Sequence, residues 1–321
     1  QRDGHRRFLD FYRSQLSNMT DHEAKALTDP DDSWKLYSEH GITGIGYIAS
    51  QLNIHGIFFH SKYALNLYSD ILRSKYSYFV PRMIPLFHPC FDKPSFKARN
   101  EREYDIGIFG VLDNGGKMTR EAVNAFHVLR KKGKARNCIL AGYNAKEWLM
   151  HNPDIPNDGL IVINKPSRES LSSLMSDTRV ALQPRRSSTG ESSGIIPMLI
   201  SRGVPAIVSN VGAFSEYPAG IAFTVDNTDF TAEVLAAHAR IEANESSDFE
   251  QERLFAEAFR RLSLEKFRSN ILSSLESSMN EVHVRISGDR VATSISPITI
   301  ERLKDQTPTP KAHCLHSQEN S

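Results

Sequence analysis

From Tyr104 onward the chain keeps a regular beat: a short apolar run, a polar or glycine-bearing loop, then a stretch with apolar residues three and four apart. The runs Asp105 to Leu112, Asn137 to Ala141, Gly159 to Ile163, Arg179 to Leu182, Pro205 to Ser209 and Ala222 to Val225 predict strands. Between them Thr119 to Leu129, Ala145 to Met150, Ser167 to Ser176 and Ile195 to Ile200 predict helices. In the first of these helices Ala122, Val123, Ala125, Phe126 and Leu129 share one side. Strands separated by helices predict an α/β fold with a parallel sheet covered on both faces and right-handed crossovers.

The flanks are less regular. Residues 4–19 place Phe8, Leu9, Phe11, Tyr12, Leu16 and Met19 at helical spacing, and Trp34 to Tyr47 reads as a helix interrupted by glycines. Ile54 to Ser61 and Tyr78 to Pro85 predict short strands around a helix at Lys62 to Arg73. Asp92 to Glu103 is polar and reads as an interdomain linker. After the sheet, Ala232 to Ile241 and Phe249 to Met279 predict helices, and Glu281 to Ile286 a brief strand. Residues 286–321 are rich in Ser, Thr, Pro and Lys, which predicts disorder. The expected division is a partial α/β domain at 1–97, a Rossmann-like domain with C-terminal helices at 98–280, and a mostly disordered tail at 281–321.

Composition narrows the function without naming it. The 321 residues carry 39 Lys and Arg against 38 Asp and Glu, a formal charge of +1. No global field draws the chain to nucleic acid or anionic lipid, so any phosphate site must be local. Cys90, Cys138 and Cys314 are unpatterned, which excludes a disulfide framework or zinc site and makes a reducing, cytoplasmic setting the expectation. No apolar run approaches the ~18 residues a spanning helix needs. No His/Cys/Asp/Glu cluster has metal-ligand spacing.

Candidate chemistry concentrates in Arg185-Arg186-Ser187-Ser188-Thr189-Gly190-Glu191-Ser192-Ser193-Gly194. This loop joins a predicted buried strand to a predicted helix start, whose first N–H groups lack intrahelical partners. Ser192, Ser193 and Gly194 let a ligand approach that backbone, Arg185 and Arg186 add charge, and Glu191 can accept from hydroxyls. Phosphate donors beside a diol acceptor suit a nucleotide-sugar. The competing reading is a Ser/Thr N-cap with solvated arginines.

Several of these segments resemble family 4 glycosyltransferases of the GT-B fold. Asp105-Ile106-Gly107-Ile108-Phe109-Gly110, then Lys117 and Ala125, resemble the start of that family's C-terminal domain, and Cys138 to Gly142 its second strand. Gly190 to Gly194, Gly203 to Ser209 and Val211 to Pro218 resemble a bacterial-type subgroup acting on cell-surface polysaccharides and glycans. Gly56 to Ala64 and Ile84 to Pro89 resemble the closing strands of the N-terminal domain. The resemblance implies a complete C-terminal Rossmann-like domain binding the nucleotide-sugar, preceded by a partial acceptor domain. Its first strands, with their glycine-rich loop and usual catalytic histidine or aspartate, are expected to be missing. The chain begins at Gln1, and a truncated chain and a degenerate relative both remain open.

The same resemblance implies retaining transfer from a nucleotide-sugar to a glycan or lipid-linked acceptor. The donor is a substrate; no bound cofactor or metal and no nucleic-acid partner are implied, and peripheral membrane association stays open. Lys117 and Arg185 would hold the donor diphosphate and Glu191 the sugar hydroxyls, as the catalytic set. Gly110, Ser192, Ser193 and Gly194 would line the donor loop, with Asn164 near the base. The family's second carboxylate has no counterpart here, its place falling near Met198 or Leu199. That departure favours, as alternatives, a non-catalytic nucleotide-sugar or phosphate-binding module. An unrelated doubly wound domain such as a signalling receiver lacks support, because no acidic cluster ends a strand. Arg186 reads as a surface residue, Glu216 as a structural cap, and His55, His60 and His88 as structural.

Overall fold

The computed structural model describes residues 56–75, 82–188, 190–243 and 248–288. The helices expected at residues 4–19 and 34–47, the start of the Tyr78 strand and residues 289–321 lie outside them. Among the described residues, those up to Leu272 belong to one compact unit and those from Ser273 to another.

In the first unit a small parallel pair, β1 (Gly56–Phe59) and β2 (Arg82–Pro85), is joined by helix α1 (Lys62–Lys75). Then comes a six-stranded parallel sheet built from β3 (Tyr104–Val111), β4 (Cys138–Tyr143), β5 (Leu160–Asn164), β6 (Thr178–Gln183), β7 (Ala206–Ser209) and β8 (Ala222–Val225). Its helices are α2 (Thr119–Lys131), α3 (Ala145–Met150), α4 (Arg168–Ser176), α5 (Ile195–Ser201), α6 (Phe230–Glu242) and α7 (Asp248–Leu262). The α/β class and the parallel sheet expected from the alternation are present.

Strand alternation sends side chains to two separate cores. Ile106, Ile108, Leu140, Val180, Leu182 and Ile207 pack under α2, α3 and α6. Phe109, Ile139, Ala181, Ala206 and Val208 pack under α4, α5 and α7. Strands buried on both faces therefore read as continuous apolar runs, which is why they were visible in the sequence.

The strand order is β5-β4-β3-β6-β7-β8. Successive strands step outward from β3 one way, then from β6 the other way. The order reverses between β3 and β6, and in open sheets of this kind the crevice at the carboxyl ends of such a pair is where ligands bind. The backbones close tightly here: a Cβ built on Gly142 would lie 1.7 Å from the Gly110 carbonyl oxygen.

Two expectations are corrected, and a third segment gains detail. The predicted strand at Glu281–Ile286 is part of helix α8 (Leu264–Gly288). Leu272, Leu275, Met279, Val282 and Ile286 continue a three-four apolar spacing, and no glycine or proline interrupts it before Gly288. The single helix expected over Phe249–Met279 is two, broken at Ser263, which forms a parallel bridge with Cys90 and whose hydroxyl accepts from the Lys266 N–H at 3.2 Å. The Asp92–Glu103 segment, expected as a linker, is fastened to the sheet. Buried Arg102 donates to the carbonyls of Thr178 (2.8 Å) and Gly203 (3.1 Å), and Lys97 pairs with Asp177 at 2.6 Å.

Candidate functional site

The two loops that leave the switch point carry the two predicted cations. The loop after β3 is folded on itself: the Asp113 carboxylate accepts from the Lys117 N–H at 3.0 Å, and the Thr119 hydroxyl accepts from the Asp113 N–H at 3.1 Å. Trp148 Nε1 donates to Asn114 Oδ1 at 2.7 Å, tying the loop to α3. The loop after β6 is tied to it, since the Arg186 N–H donates to the Gly116 carbonyl at 3.1 Å. Lys117 and Arg185 thus flank one hydrogen bond, close enough that the Arg185 charge helps to lower the Lys117 ammonium.

Arg185 is 6% exposed. Its guanidinium lies over the Phe214 ring, 4.7 Å from the centroid. One Nη donates to the Pro184 carbonyl at 2.8 Å, while Nε has no partner. The backbone is gripped as well: Ser209 Oγ accepts from the Arg185 N–H at 2.9 Å, and Asn227 Nδ2 donates to the Arg185 carbonyl at 2.7 Å. Burial lowers this guanidinium to about 10, against the pull of Glu191 and Asp113, so it stays charged at neutral pH. Burial, then the Arg185 charge, lowers the Lys117 ammonium to about 8. Among the described residues no carboxylate makes an ion pair with either cation within 4.0 Å.

Glu191 closes the third side. Ser188 Oγ donates to its Oε2 at 3.1 Å, and its charge is felt at Lys117, Arg185 and Tyr63. Ser192 is half-buried beside it. Ser193 is buried, and its hydroxyl accepts from the N–H groups of Ile195 (3.2 Å) and Ile196 (3.3 Å), so it caps α5. Gly194 is exposed, with His88 at 3.9 Å from its ideal Cβ position. Gly110 is the next-to-last residue of β3, with Ile195 3.5 Å from its ideal Cβ position. Asn164 stands apart on β5, its Oδ1 accepting from the Ala145 N–H at 3.0 Å, which places that side chain on α3.

Arg186 is half-exposed and donates to the carbonyls of Asn114 and Gly115, both at 3.2 Å, and to Glu121 at 2.8 Å. It is a cross-tie between the loops, a role the sequence did not suggest. Glu216 accepts from the Lys62 N–H (2.9 Å) and the Tyr63 N–H (2.6 Å), capping α1 from another part of the chain. Tyr63 Oη in turn donates to the Ser188 carbonyl at 3.3 Å. Gly212, with φ +54°, is where the chain passes Ser188: a Cβ there would be 2.2 Å from its Oγ. His60 and His88 stack edge-on at 5.4 Å, with their Nδ1 atoms on the carbonyls of Leu86 (2.7 Å) and Pro89 (3.0 Å).

Sequence reasoning missed that Ser209, Phe214 and Asn227 hold Arg185, because each lies far from it in the chain and nothing in the motif likeness pairs them with it. Among the described residues no three His, Cys, Asp or Glu side chains gather as metal ligands, and no helix is long and apolar enough to cross a membrane.

No protein-family model matches the chain, and no curated protein matches it in sequence. Solved structures do match. A UDP-forming α,α-trehalose-phosphate synthase from Burkholderia xenovorans superposes with a TM-score of 0.57 at 12% identity, over 79% of this chain and 65% of that one. Anabaena HepE in complex with UDP gives 0.55 at 10% identity, over 77% and 66%. The pneumococcal O-GlcNAc transferase GtfA in complex with UDP and GlcNAc gives 0.53 at 13% identity, over 76% and 48%. The chain therefore spans less than two thirds of the length of each. At these identities the likeness is one of fold: a GT-B type α/β architecture, with a Rossmann-like parallel sheet preceded by a partial α/β unit.

Proposed function

We infer that this chain belongs to a family 4 type glycosyltransferase, moving a sugar from a nucleoside-diphosphate sugar to a glycan or lipid-linked acceptor with retained configuration. The observation that carries the reading is the convergence of Lys117 and Arg185 at the switch point. Breaking the bond between sugar and diphosphate builds negative charge on the leaving group, and fixed cations stabilise it. Arg185 offers a planar fork and Lys117 a point charge. The cations must supply most of this stabilisation, because α5 is short and Ser193 already takes two of its first N–H groups. Glu191 accepts from hydroxyls of the donor sugar, Gly110, Ser192 and Gly194 give close backbone approach, and the Asn164 to Pro166 corner receives the base. Closure of the acceptor side over this cleft excludes the water that would hydrolyse the donor.

A second reading, a nucleotide-sugar or phosphate-binding module without turnover, is favoured by one feature. Met198 and Leu199, near which the family's second carboxylate falls, are both apolar and pack into the core on this side of the sheet, Leu199 fully buried and Met198 partly.

Calorimetry with UDP, followed by a donor-hydrolysis assay with UDP-sugars, separates the readings. The enzyme reading expects UDP binding and slow hydrolysis, with Glu191→Gln lowering turnover while the melting temperature stays within about 2 °C. UDP binding without turnover in the longest natural form of the chain supports the module, and no UDP binding overturns both.

A further inference from the structure

Six buried side-chain polar atoms among the described residues lack a hydrogen-bond partner. Two of the donors among them lie two residues apart at the same end of one strand: Nε2 of Gln183 and Nε of Arg185. Both residues are more than nine-tenths buried, at 2% and 6% exposure. A buried donor left unpaired loses its hydration with nothing in return, which destabilises the fold. Two of them within three residues, at the carboxyl end of β6, ask for an acceptor with lone pairs to spare.

The direction of Gln183 follows from the pleat. Ala181 faces the core under α5, so Gln183, two residues on, faces the same way. It sits opposite Val208, which lines that same core. Arg185 continues on this side, over Phe214. A leucine or methionine would fill the Gln183 position with no unpaired donor. An amide at the carboxyl end of the central strand, beside the switch point, therefore calls for a partner that is not part of the protein core.

The geometry points to Gln183 as a further ligand-binding residue, whose amide donates to a phosphoryl oxygen of the nucleotide gripped by Arg185 and Lys117. This rests on the donor-site reading above and adds a residue to it. A phosphoryl oxygen accepts several donors at once. An amide supplies one more without placing a third positive charge beside two cations that already oppose each other. The last side-chain torsion of Gln is soft, so the amide turns its N–H2 toward the pocket at little cost.

Gln183→Met keeps the volume and removes the unpaired donor. The nucleotide-free variant is expected to melt about 2 °C higher than the wild type. Its affinity for UDP is expected to fall about tenfold, while that for uridine, which lacks phosphate, is unchanged. A purely structural amide gives the opposite pattern, a lower melting temperature with UDP affinity within about twofold of wild type, and that result overturns the proposal. A higher melting temperature with unchanged UDP affinity overturns it too.

Gln183→Glu provides the second arm. A carboxylate at this place repels phosphate and is expected to weaken UDP more than methionine does, and equal or tighter binding is contrary to the proposal. Arg185→Ala runs as the control. If it leaves UDP affinity untouched, the donor site itself is wrong; if it weakens UDP and neither Gln183 variant does, only Gln183 is removed.

Discussion

The loop after β6 and the loop after β3 each deliver one cation to the switch point, but they hold it differently. Arg185 is sealed over Phe214, with its backbone clamped by Ser209 and Asn227. It is charged at neutral pH, and its position is set before any ligand arrives. Lys117 is half-buried at the end of a glycine turn, and burial with the Arg185 charge lowers its ammonium to about 8. Its charge is conditional on pH and on what lies opposite. One cation is a fixed part of the wall and the other a responsive one. A site of this kind loses its shape when the first is altered and its pH range when the second is.

The largest expected effect falls on the fixed cation. Arg185→Ala should weaken UDP binding by about 2–3 kcal/mol, because it removes a buried charge-assisted donor set. Arg185→Lys should recover little of this, since a lysine neither forks nor stacks flat on Phe214. Calorimetric titration of both variants checks the claim, and near-wild-type binding by the lysine variant would erase the contrast between the loops.

The responsive cation should appear in the pH profile. Bound phosphate keeps Lys117 charged, so binding takes up a proton once pH exceeds about 8. UDP affinity should drop about tenfold from pH 7 to pH 9. Stability of the free protein carries the opposite sign. The unfolded lysine titrates near 10.4, so between about 8 and that value the unfolded chain holds more protons and this group's contribution to stability rises with pH. Lys117→Met should flatten both profiles; a UDP profile equally steep in wild type and variant would show that another group titrates.

How much of this was readable in advance follows the same division. The doubly buried strands β3, β4 and β6 could be read because each carries a short apolar run just ahead of a loop. The conspicuous charges of the two loops, Lys117, Arg185 and Glu191, could be named from motif likeness, and the fold brings them together. What holds Arg185 could not be read. Phe214 and Asn227 are 29 and 42 positions downstream, and only the crossovers from β6 through β7 and β8 bring them back. Gln183 lies just past the strand expected at Arg179 to Leu182 and drew no notice, because an unpaired donor is visible only once its neighbours are known. The break at Ser263 was hidden for a similar reason: it depends on the distant Cys90 segment lying alongside.

Arg186 gives the smallest effect and the sharpest test of the contrast. Its side chain reaches across to Asn114, Gly115 and Glu121, so it acts on the Lys117 loop rather than on its own. It is half-exposed, and a pair of this kind contributes under about 1 kcal/mol. Arg186→Ala keeps the bond from its own N–H to the Gly116 carbonyl, so the loop stays in place but loosens. UDP affinity should fall about two- to threefold. The loss should vanish when Lys117 is already methionine, because the loosened loop then has no charge left to misplace, and it should persist in full beside Arg185→Ala. Coupling of Arg186 to Arg185 instead of Lys117 in such a double-mutant cycle would mean that the two loops act as one rigid body and that the fixed and responsive cations are not independent.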